Sequence, residues 1–283
     1  MEKPVARLLP DGRRLHLHHG PIDLIVEAWG DGRSNAYDRA TDKFQSILTE
    51  LVVELDDLRK PADIIHELHG STANRMLNAV CQFSDDVFVT PMAAVAGAVA
   101  DEILAAIQAV DDVPRAYVNN GGDAAVHLTT DQRFTARVGP NGRAHATLTH
   151  EMPWRGIASS GWGGRSHSLG IADNVTVIAK NAAVADAAAT LIANAVDLPG
   201  HAGIRRVPAA DLSPDSDLKD RLVTVDVPRL DLDERQMAIR NGLMVAEGFE
   251  TAGLIGSAWI ELQGKSMGTG RLAELEYVEG TDA

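Results

Sequence analysis

Residues 166–190 read SHSLGIADNVTVIAKNAAVADAAAT, and this stretch predicts a loop, a buried strand and a helix in turn. The helix carries Asp186 and Thr190 four residues apart, which places both side chains on one face. A carboxylate and a hydroxyl are hard oxygen ligands, so together they could hold Mg²⁺ that also touches a phosphate. The alternative is that the Thr190 hydroxyl bonds back to the carbonyl of Asp186 and nothing is bound.

Composition limits the classes of partner. The 283 residues carry a formal net charge of −14, which repels nucleic-acid backbones, so we expect no nucleic-acid partner. Cys81 is the single cysteine, which excludes an intrachain disulfide and a Cys-rich metal site. Neither the N-terminus nor residues 87–100 offers an apolar run suited to a signal or a membrane span, so a cytoplasmic location is expected. Homo-oligomerisation stays open, because no stretch carries an interface signal.

Antiparallel strand pairs alternate with helices along the chain. Alternating residues 14–18 and 22–29 flank Gly20-Pro21 and predict a hairpin. A second hairpin is expected about the turn at 139–142, between 133–138 and 143–150. The spacing of apolar residues predicts helices over 43–58, 71–83 (capped by Ser71 or Thr72), 91–110 and 231–247. These elements indicate the α+β class, in one large core or two closely joined lobes.

A glycine pair lies between two apolar strands, in the run Asn120-Gly121-Gly122-Asp123. Two glycines permit positive φ and allow a ligand to approach the backbone closely. Asp123 could then accept a hydrogen bond from a ligand or help to organise a metal shell. The alternative is an ordinary turn, since Gly-Gly-Asp is common in turns.

A second glycine-rich loop precedes the opening stretch. Its glycines between Gly161 and Gly164 expose N–H donors, and Arg165 and His167 add polar groups that suit a diphosphate. Trp162 could stack on a planar ring or, equally, cover a hydrophobic edge. The alternative for the whole loop is a flexible surface segment.

The predicted helix over 91–110 contains two further residues of interest. Gly97 marks a point of close packing, and Asp101 lies one turn later on the helix. Asp101 could contact a cofactor, although a solvated carboxylate is the alternative.

Histidines do not form a zinc motif in the sequence. The run 66–69, HELH, has its two histidines three residues apart, whereas the zinc-protease pattern needs four. His16 and His18 put two imidazoles on one strand face, next to His19, but the sequence names no third ligand. Zinc catalysis is therefore not predicted, and the signatures of Rossmann, P-loop and α/β-hydrolase sites are absent as well.

Taken in order, these pieces resemble a known family. Asn120-Gly121-Gly122-Asp123, Ser159-Ser160-Gly161, His167, a Val-Thr-Val strand and Asp186-x-x-x-Thr190 resemble the ApbE-like proteins, the FAD:protein FMN transferases. The runs NNGGD and GGRSHSLGIAD resemble an uncharacterised branch of that superfamily more closely. The likeness covers residues 87–196 well and the rest of the chain loosely.

The resemblance implies a T-fold-like α+β domain over residues 1–283 that binds FAD or FMN with Mg²⁺. By resemblance, Asp186, Thr190 and the backbone carbonyl of Ala93 hold the metal, and FMN passes to a Thr or Ser hydroxyl of a protein target. Asp186 and Asp123 are the predicted catalytic residues. The predicted cofactor-binding residues are Asn120, Gly121, Gly122, Ser160, Gly161, Trp162, Arg165, His167 and Asp101.

The chain also departs from the family pattern. Ala96 replaces a charged residue, Thr90 replaces an acidic one, and a longer His-containing run is reduced to residues 167–170. By resemblance, the residues expected to hold the metal are thus kept, while residues that contact the flavin in the family are changed. Two alternatives follow: a flavin-binding or accessory module without catalysis, and a different enzyme for a small metabolite on the same scaffold.

Overall fold

The computed structural model describes residues 3–65, 67–83, 87–138 and 144–270. Within these, the chain divides into two compact units. Unit 1 comprises the residues up to 134 together with 147–158 and 179–186. Unit 2 comprises 135–146, 159–178 and the residues from 187 onward. Whether they form one domain or two joined lobes stays a prediction.

An antiparallel sheet forms the framework of unit 1. Its strands are β1 (Val5–Leu8), β2 (Leu15–His19), β3 (Ile22–Trp29), β4 (Arg115–Asn120) and β5 (Asp123–Leu128), and they pair in that order. The predicted hairpin is confirmed: β2 and β3 pair up to His19 and Ile22, with Gly20-Pro21 between them. Gly20 has φ of 56°, the left-handed region in which glycine is favoured.

Helices pack against this sheet in unit 1. They are α1 (Arg33–Val53), α2 (Leu55–Leu58), α3 (Ser71–Val80) and α4 (Val95–Gln108). The apolar stripe that predicted a helix over 43–58 is partly buried in α1, through Phe44, Ile47 and Leu51, although α1 begins earlier, at Arg33, and ends at Val53. The predicted Ser71 or Thr72 cap of α3 is wrong, because Gly70 is the N-cap and its N–H donates to the Glu54 carboxylate at 2.8 Å.

A short 3₁₀ turn, Pro91–Ala94, leads into α4. The combined span Pro91–Gln108 is long and apolar enough to cross a membrane by length and composition alone. Most of it is nevertheless buried inside the protein, and it carries two carboxylates with protein partners. One of them, Glu102, accepts from Ser71 at 2.5 Å and lies 3.0 Å from the Lys43 ammonium. These features are typical of a core helix.

Unit 2 has its own strands and helices. The strands β9 (Asn174–Ala179), β12 (Ile255–Leu262) and β13 (Lys265–Gly268) follow one another in one sheet, and β10 (Arg205–Pro208) pairs with β11 (Leu222–Asp226). The short α6 (Ala209–Leu212) follows β10, and α7 (Leu232–Thr251) packs on β12. Asp231 and Glu234 form a capping box that begins α7, close to the predicted start.

Three further elements complete the described chain. β6 (Arg133–Val138) and β7 (Ala144–Thr149) pair as a two-stranded sheet, which agrees with the second predicted hairpin, although its turn lies outside the described residues. β8 (Gly156–Ser160) pairs with β5 through Ile157 and Ala124 in unit 1. The helix α5 (Ala182–Ala195) has its first five residues in unit 1 and the rest in unit 2.

Candidate functional site

The start of α5 packs unusually close to its neighbours in unit 1. A Cβ atom at Gly97 of α4 would lie 2.2 Å from the carbonyl oxygen of Ala182, and one at Gly156 of β8 would lie 2.0 Å from the carbonyl carbon of Asn181. Both distances are far below van der Waals contact, so only glycine fits at either position. The predicted close packing at Gly97 is confirmed.

Asp101 of α4 caps the N-terminus of α5. Its two carboxylate oxygens accept from the backbone N–H groups of Ala182, at 3.0 Å, and Ala183, at 2.9 Å. The next N–H, that of Val184, donates to the Asn181 side chain at 2.9 Å. The first amides of α5 are therefore satisfied by side chains, as helix starts require.

Burial raises the pKa of Asp101 to about 6, against the lowering effect of its two backbone hydrogen bonds and of Arg75. Both carboxylate oxygens are engaged by α5. The structure therefore gives Asp101 a helix-capping role, and its contact with a cofactor stays a prediction.

Asp186 of α5 in turn caps the N-terminus of α4. Its carboxylate accepts from the N–H of Gly97 at 3.0 Å and also bonds the N–H of Ala96. α4 has no capping side chain of its own, since its N-cap is Ala94. Each helix therefore supplies the carboxylate that caps the other, and Asp186 is held against an electropositive helix end.

The Asn120–Asp123 turn reaches the same end of α4. The Asn120 side chain is buried and donates from Nδ2 to the Ala96 carbonyl at 3.1 Å. Gly121 and Gly122 have φ of 67° and 125°, as the predicted positive φ requires, and no atom lies within 4 Å of a Cβ built at Gly122. Asp123 lies directly across from Asn120 in the β4–β5 pairing and is buried.

Two carboxylates of unit 1, those of Asp186 and Asp123, therefore interact electrostatically. Burial raises the pKa of Asp186 well above its usual range, and the negative charge of Asp123 raises it further; the Gly97 and Ala96 amides oppose the shift. Asp186 keeps part of its surface exposed. Two carboxylates that are wholly or largely withdrawn from water are costly unless a proton or a cation neutralises them, and oxygen ligands of this kind suit Mg²⁺.

The predicted carbonyl ligand lies on the segment that contacts Asp186. Ala93 is in the 3₁₀ turn, four residues before Gly97, and its N–H donates to the Thr90 carbonyl at 3.1 Å. Ala93 is partly exposed. Unit 1 thus brings together the predicted residues Asn120, Gly121, Gly122, Asp123, Asp186, Asp101 and the turn that contains Ala93.

The remaining predicted residues are in unit 2. Thr190 lies one turn after Asp186 on α5 and is partly exposed. One further turn along, the Asn194 side chain accepts from the Leu169 N–H at 2.9 Å and from the Ser168 hydroxyl at 3.2 Å. Gly170 packs so tightly on α5 that a Cβ there would lie 2.1 Å from the Ala193 carbonyl oxygen. The segment after His167 is therefore anchored to the second half of α5.

The glycine-rich loop of unit 2, residues 159–165, is held by hydrogen bonds at Trp162 and is exposed to solvent at Arg165. Trp162 donates from its backbone N–H to the Ala172 carbonyl at 3.0 Å and from its indole nitrogen to Asp173 at 3.3 Å. Ser160, Gly161 and His167 are partly exposed, and Arg165 is exposed. The predicted roles of these residues in cofactor binding stay predictions.

Sequence reasoning missed the contribution of main-chain groups at this site. The amides of Ala96 and Gly97 hold Asp186, and the Ala96 carbonyl holds Asn120. The available signal was the absence of any capping residue at the start of α4, which leaves amides that some other group must satisfy.

Comparisons with known proteins agree with this architecture. The model of the family described as AbpE bacteria matches residues 6–269. A UPF0280 protein of Methanothrix thermoacetophila is 35% identical over 153 residues, which cover 52% of this chain and 63% of that protein. A UPF0280 protein of Archaeoglobus fulgidus is 35% identical over 130 residues, which cover 44% of this chain and 52% of that protein. The chain therefore spans less than two thirds of the length of these curated relatives.

Two solved structures share the fold. The apo form of the flavinyl transferase ApbE of Pseudomonas stutzeri superposes with a TM-score of 0.50 at 12% identity, covering 99% of each chain. The apbe protein of Thermotoga maritima superposes with a TM-score of 0.51 at 13% identity, covering 96% of this chain and 97% of that one. The predicted ApbE-like α+β fold is confirmed by these likenesses, which at such identity concern the fold alone.

Proposed function

Because the chain belongs to the family described as AbpE bacteria, we propose that it binds a flavin nucleotide together with Mg²⁺ and transfers FMN to a hydroxyl of a protein target. The solved structure of a flavinyl transferase with the same fold supports the flavin. Cytoplasmic location and homo-oligomerisation stay predictions.

The observation that carries the proposal is the electrostatic repulsion between the Asp186 and Asp123 carboxylates. The two carboxylates lie close enough for Asp123 to raise the pKa of Asp186, although Asp186 is also held by helix amides. A divalent cation would relieve this repulsion and would also attract a diphosphate. Because the protein is acidic overall, it needs a local positive charge, such as a bound divalent cation, to hold a phosphate-bearing ligand.

We assign Mg²⁺ to Asp186, Thr190 and the Ala93 carbonyl, which are hard oxygen donors of the kind that the ion prefers. Bound there, Mg²⁺ would stabilise negative charge on a phosphoryl group. The amides of Gly97 and Ala96 would keep the Asp186 carboxylate in one orientation. Asp123 would accept a hydrogen bond from the ligand or from a metal-bound water, and the open backbone at Gly122 would admit the ligand.

The test is calorimetric titration of FAD with and without Mg²⁺. We expect Mg²⁺ to tighten FAD binding by about 5- to 150-fold, the usual range for coupled ligands. Asp186→Asn should bring this ratio close to one, while its amide oxygen can still accept from Gly97 and preserve the α4 cap. The matched control is Asp211→Asn, a change of an exposed carboxylate in α6. Equal ratios in the wild type and the Asp186→Asn variant would defeat the proposal.

A binding module without catalysis is the second candidate, and the position of Ala96 favours it. Ala96 carries no charged side chain, and its N–H and carbonyl are committed to Asp186 and Asn120. FMN transfer from FAD releases AMP, so incubation with FAD, Mg²⁺ and candidate target proteins separates the two functions. AMP release supports the transferase, whereas Mg²⁺-dependent FAD binding without AMP release supports the module.

A further inference from the structure

The β2–β3 hairpin of unit 1 brings two histidines and an aspartate together. His16 and His18 are two residues apart on β2, so they share one face of the sheet. In the β2–β3 register His18 pairs directly with Asp23, which supplies the third ligand that the sequence did not name. His19 lies on the opposite face, where it is buried beside Phe44.

The distances in this cluster suit a single small ion. The ligand atoms of His16, His18 and Asp23 all lie within 4.8 Å of one another. His16 Nε2 is 2.7 Å from Asp23 Oδ1, and His18 Nδ1 is 3.9 Å from Asp23 Oδ2. All three side chains keep access to solvent, so water could fill the other coordination positions.

We propose that His16, His18 and Asp23 form a binding site for a divalent transition metal, with Zn²⁺ as the representative ion. Two imidazoles and one carboxylate are ligands that Zn²⁺ and its neighbours in the first transition row prefer, whereas Mg²⁺ prefers oxygen alone. Three protein ligands leave at least one position open to water. This site is separate in chemistry from the oxygen-lined site at Asp186.

The backbone of the hairpin pre-organises the three ligands. β2 pairs with β1 on one side and with β3 on the other, so His16 and His18 are fixed on an interior strand of the sheet. The two-residue Gly20-Pro21 turn sets the register that places Asp23 opposite His18. Little backbone ordering is therefore needed when the ion binds, which favours affinity.

Arg7 of β1 opposes the ion. Its Nε donates to His16 Nδ1 at 3.3 Å, so the ring proton is assigned to Nε2, which faces Asp23. Metal binding at Nε2 requires that this proton leave to solvent and that Nδ1 become the protonated nitrogen, which removes the acceptor for Arg7. The guanidinium also repels a cation. Arg7 therefore competes with the metal, and its removal should strengthen binding.

The experiment titrates Zn²⁺ into chelator-treated, tag-free protein and measures affinity by calorimetry. We expect binding that H16Q, H18Q or D23N each weakens by at least about 10- to 100-fold, since losing a ligand costs no less than losing an outer-shell partner. R7Q should bind Zn²⁺ more tightly than the wild type. The matched control is H69Q, a change of an exposed histidine outside the cluster, which should leave the affinity unchanged.

A thermal readout gives a second, independent measurement. Zn²⁺ should raise the melting temperature of the wild type, because an ion that binds only the folded state stabilises it. The double variant H16Q/H18Q should lose that rise while it keeps Mg²⁺-dependent FAD binding. Asp186→Asn should keep the rise in melting temperature with Zn²⁺ and lose Mg²⁺-dependent FAD binding. The metal site at the hairpin and the proposed function can therefore fail separately. Zn²⁺ affinity that is the same in the wild type and in H16Q/H18Q, or no affinity in either, would overturn the inference.

Discussion

Asp101 and Asp186 are two aspartates of unit 1 with different roles. Both carboxylates accept from amides at a helix start, and both have raised pKa values because burial disfavours their charge. Asp101 has its two oxygens engaged and is buried, whereas Asp186 keeps some exposure and is repelled electrostatically by Asp123. The difference in surroundings makes Asp101 a structural cap and Asp186 the better candidate for a ligand-binding group.

Asp101→Asn should change how stability depends on pH. The folded-state pKa of about 6 lies above the ordinary 3.8, so folding is favoured by the protonated form. Its contribution to the free energy of unfolding is fully present below pH 3.8 and is lost as the pH rises through about 6. The loss amounts to about 3 kcal/mol at most in order of magnitude. Asparagine does not titrate, so it removes this part of the pH dependence.

Urea unfolding of the wild type and of Asp101→Asn between pH 4 and pH 7 tests this expectation. The wild type should lose stability relative to the variant across that interval. Asp211→Asn, which removes an exposed carboxylate, should run parallel to the wild type. Parallel curves for Asp101→Asn and the wild type would contradict the assignment.

At the residue scale, the spacing of residues within one element could be predicted from the sequence, whereas contacts between distant segments could not. Asp186 and Thr190 could be singled out because their spacing on one helix is visible in the sequence. The partner of Asp101 could not be found, because it is the main chain of a helix about 80 residues away. Asp23 was missed although the hairpin was predicted, since its pairing with His18 follows only once the turn fixes the register.

At the scale of elements, the contact between α4 and the start of α5 depends on glycine. Gly97 allows the helix to approach the Ala182 carbonyl, and this approach lets each helix present its carboxylate to the other. A methyl group at this position would meet backbone atoms, which cannot rotate away as a side chain can. Both caps should therefore respond to a change at Gly97.

Gly97→Ala is expected to lower the free energy of unfolding by about 1–3 kcal/mol, as overpacking of a core does. The matched control is Gly248→Ala in α7, where a Cβ would meet nothing within 4 Å. That change should stabilise the protein by about 0.4–1 kcal/mol, because alanine is the better helix former. Chemical denaturation of both variants gives the comparison, and equal effects of the same sign would count against the close contact.

Elements with local signals were predictable, and those defined by distant contacts were less so. The capping residues Asp231 and Glu234 mark the start of α7 in the sequence itself. The start of α1 was missed by ten residues, because residues 33–42 carry a weaker apolar stripe and no capping side chain at Gly32. A 3₁₀ turn precedes α4, and the apolar pattern of residues 91–110 cannot distinguish this turn from a regular helix.

The whole molecule is acidic, with a formal net charge of −14. Such a charge repels phosphate backbones over the surface as a whole, so binding of a phosphate-bearing ligand has to depend on local groups.

The α+β class was predictable from antiparallel hairpins that alternate with helices. The bounds of the two compact units were not, since no change of composition marks them.

We expect no saturable binding of a fluorescently labelled DNA duplex at physiological salt, because the formal net charge of −14 repels the phosphate backbone. Fluorescence anisotropy should stay at the value of free DNA up to micromolar protein, with a basic DNA-binding protein as the positive control. A saturable rise in anisotropy would show a basic surface that the overall charge conceals.

The exchange of caps between α4 and the first turn of α5 has a consequence for how relatives of this chain can diverge. A slide of either helix by one turn would leave buried amides on both without acceptors, so the spacing of the two carboxylates resists gradual change. Gly121 and Gly122 take no part in this exchange of caps, and a Cβ at Gly122 would meet no atom within 4 Å, although the positive φ at both positions favours glycine. Attempts to retarget this scaffold to a new small molecule should therefore vary Gly122, with residues that tolerate positive φ such as Asn or Asp, and leave the helix pair untouched.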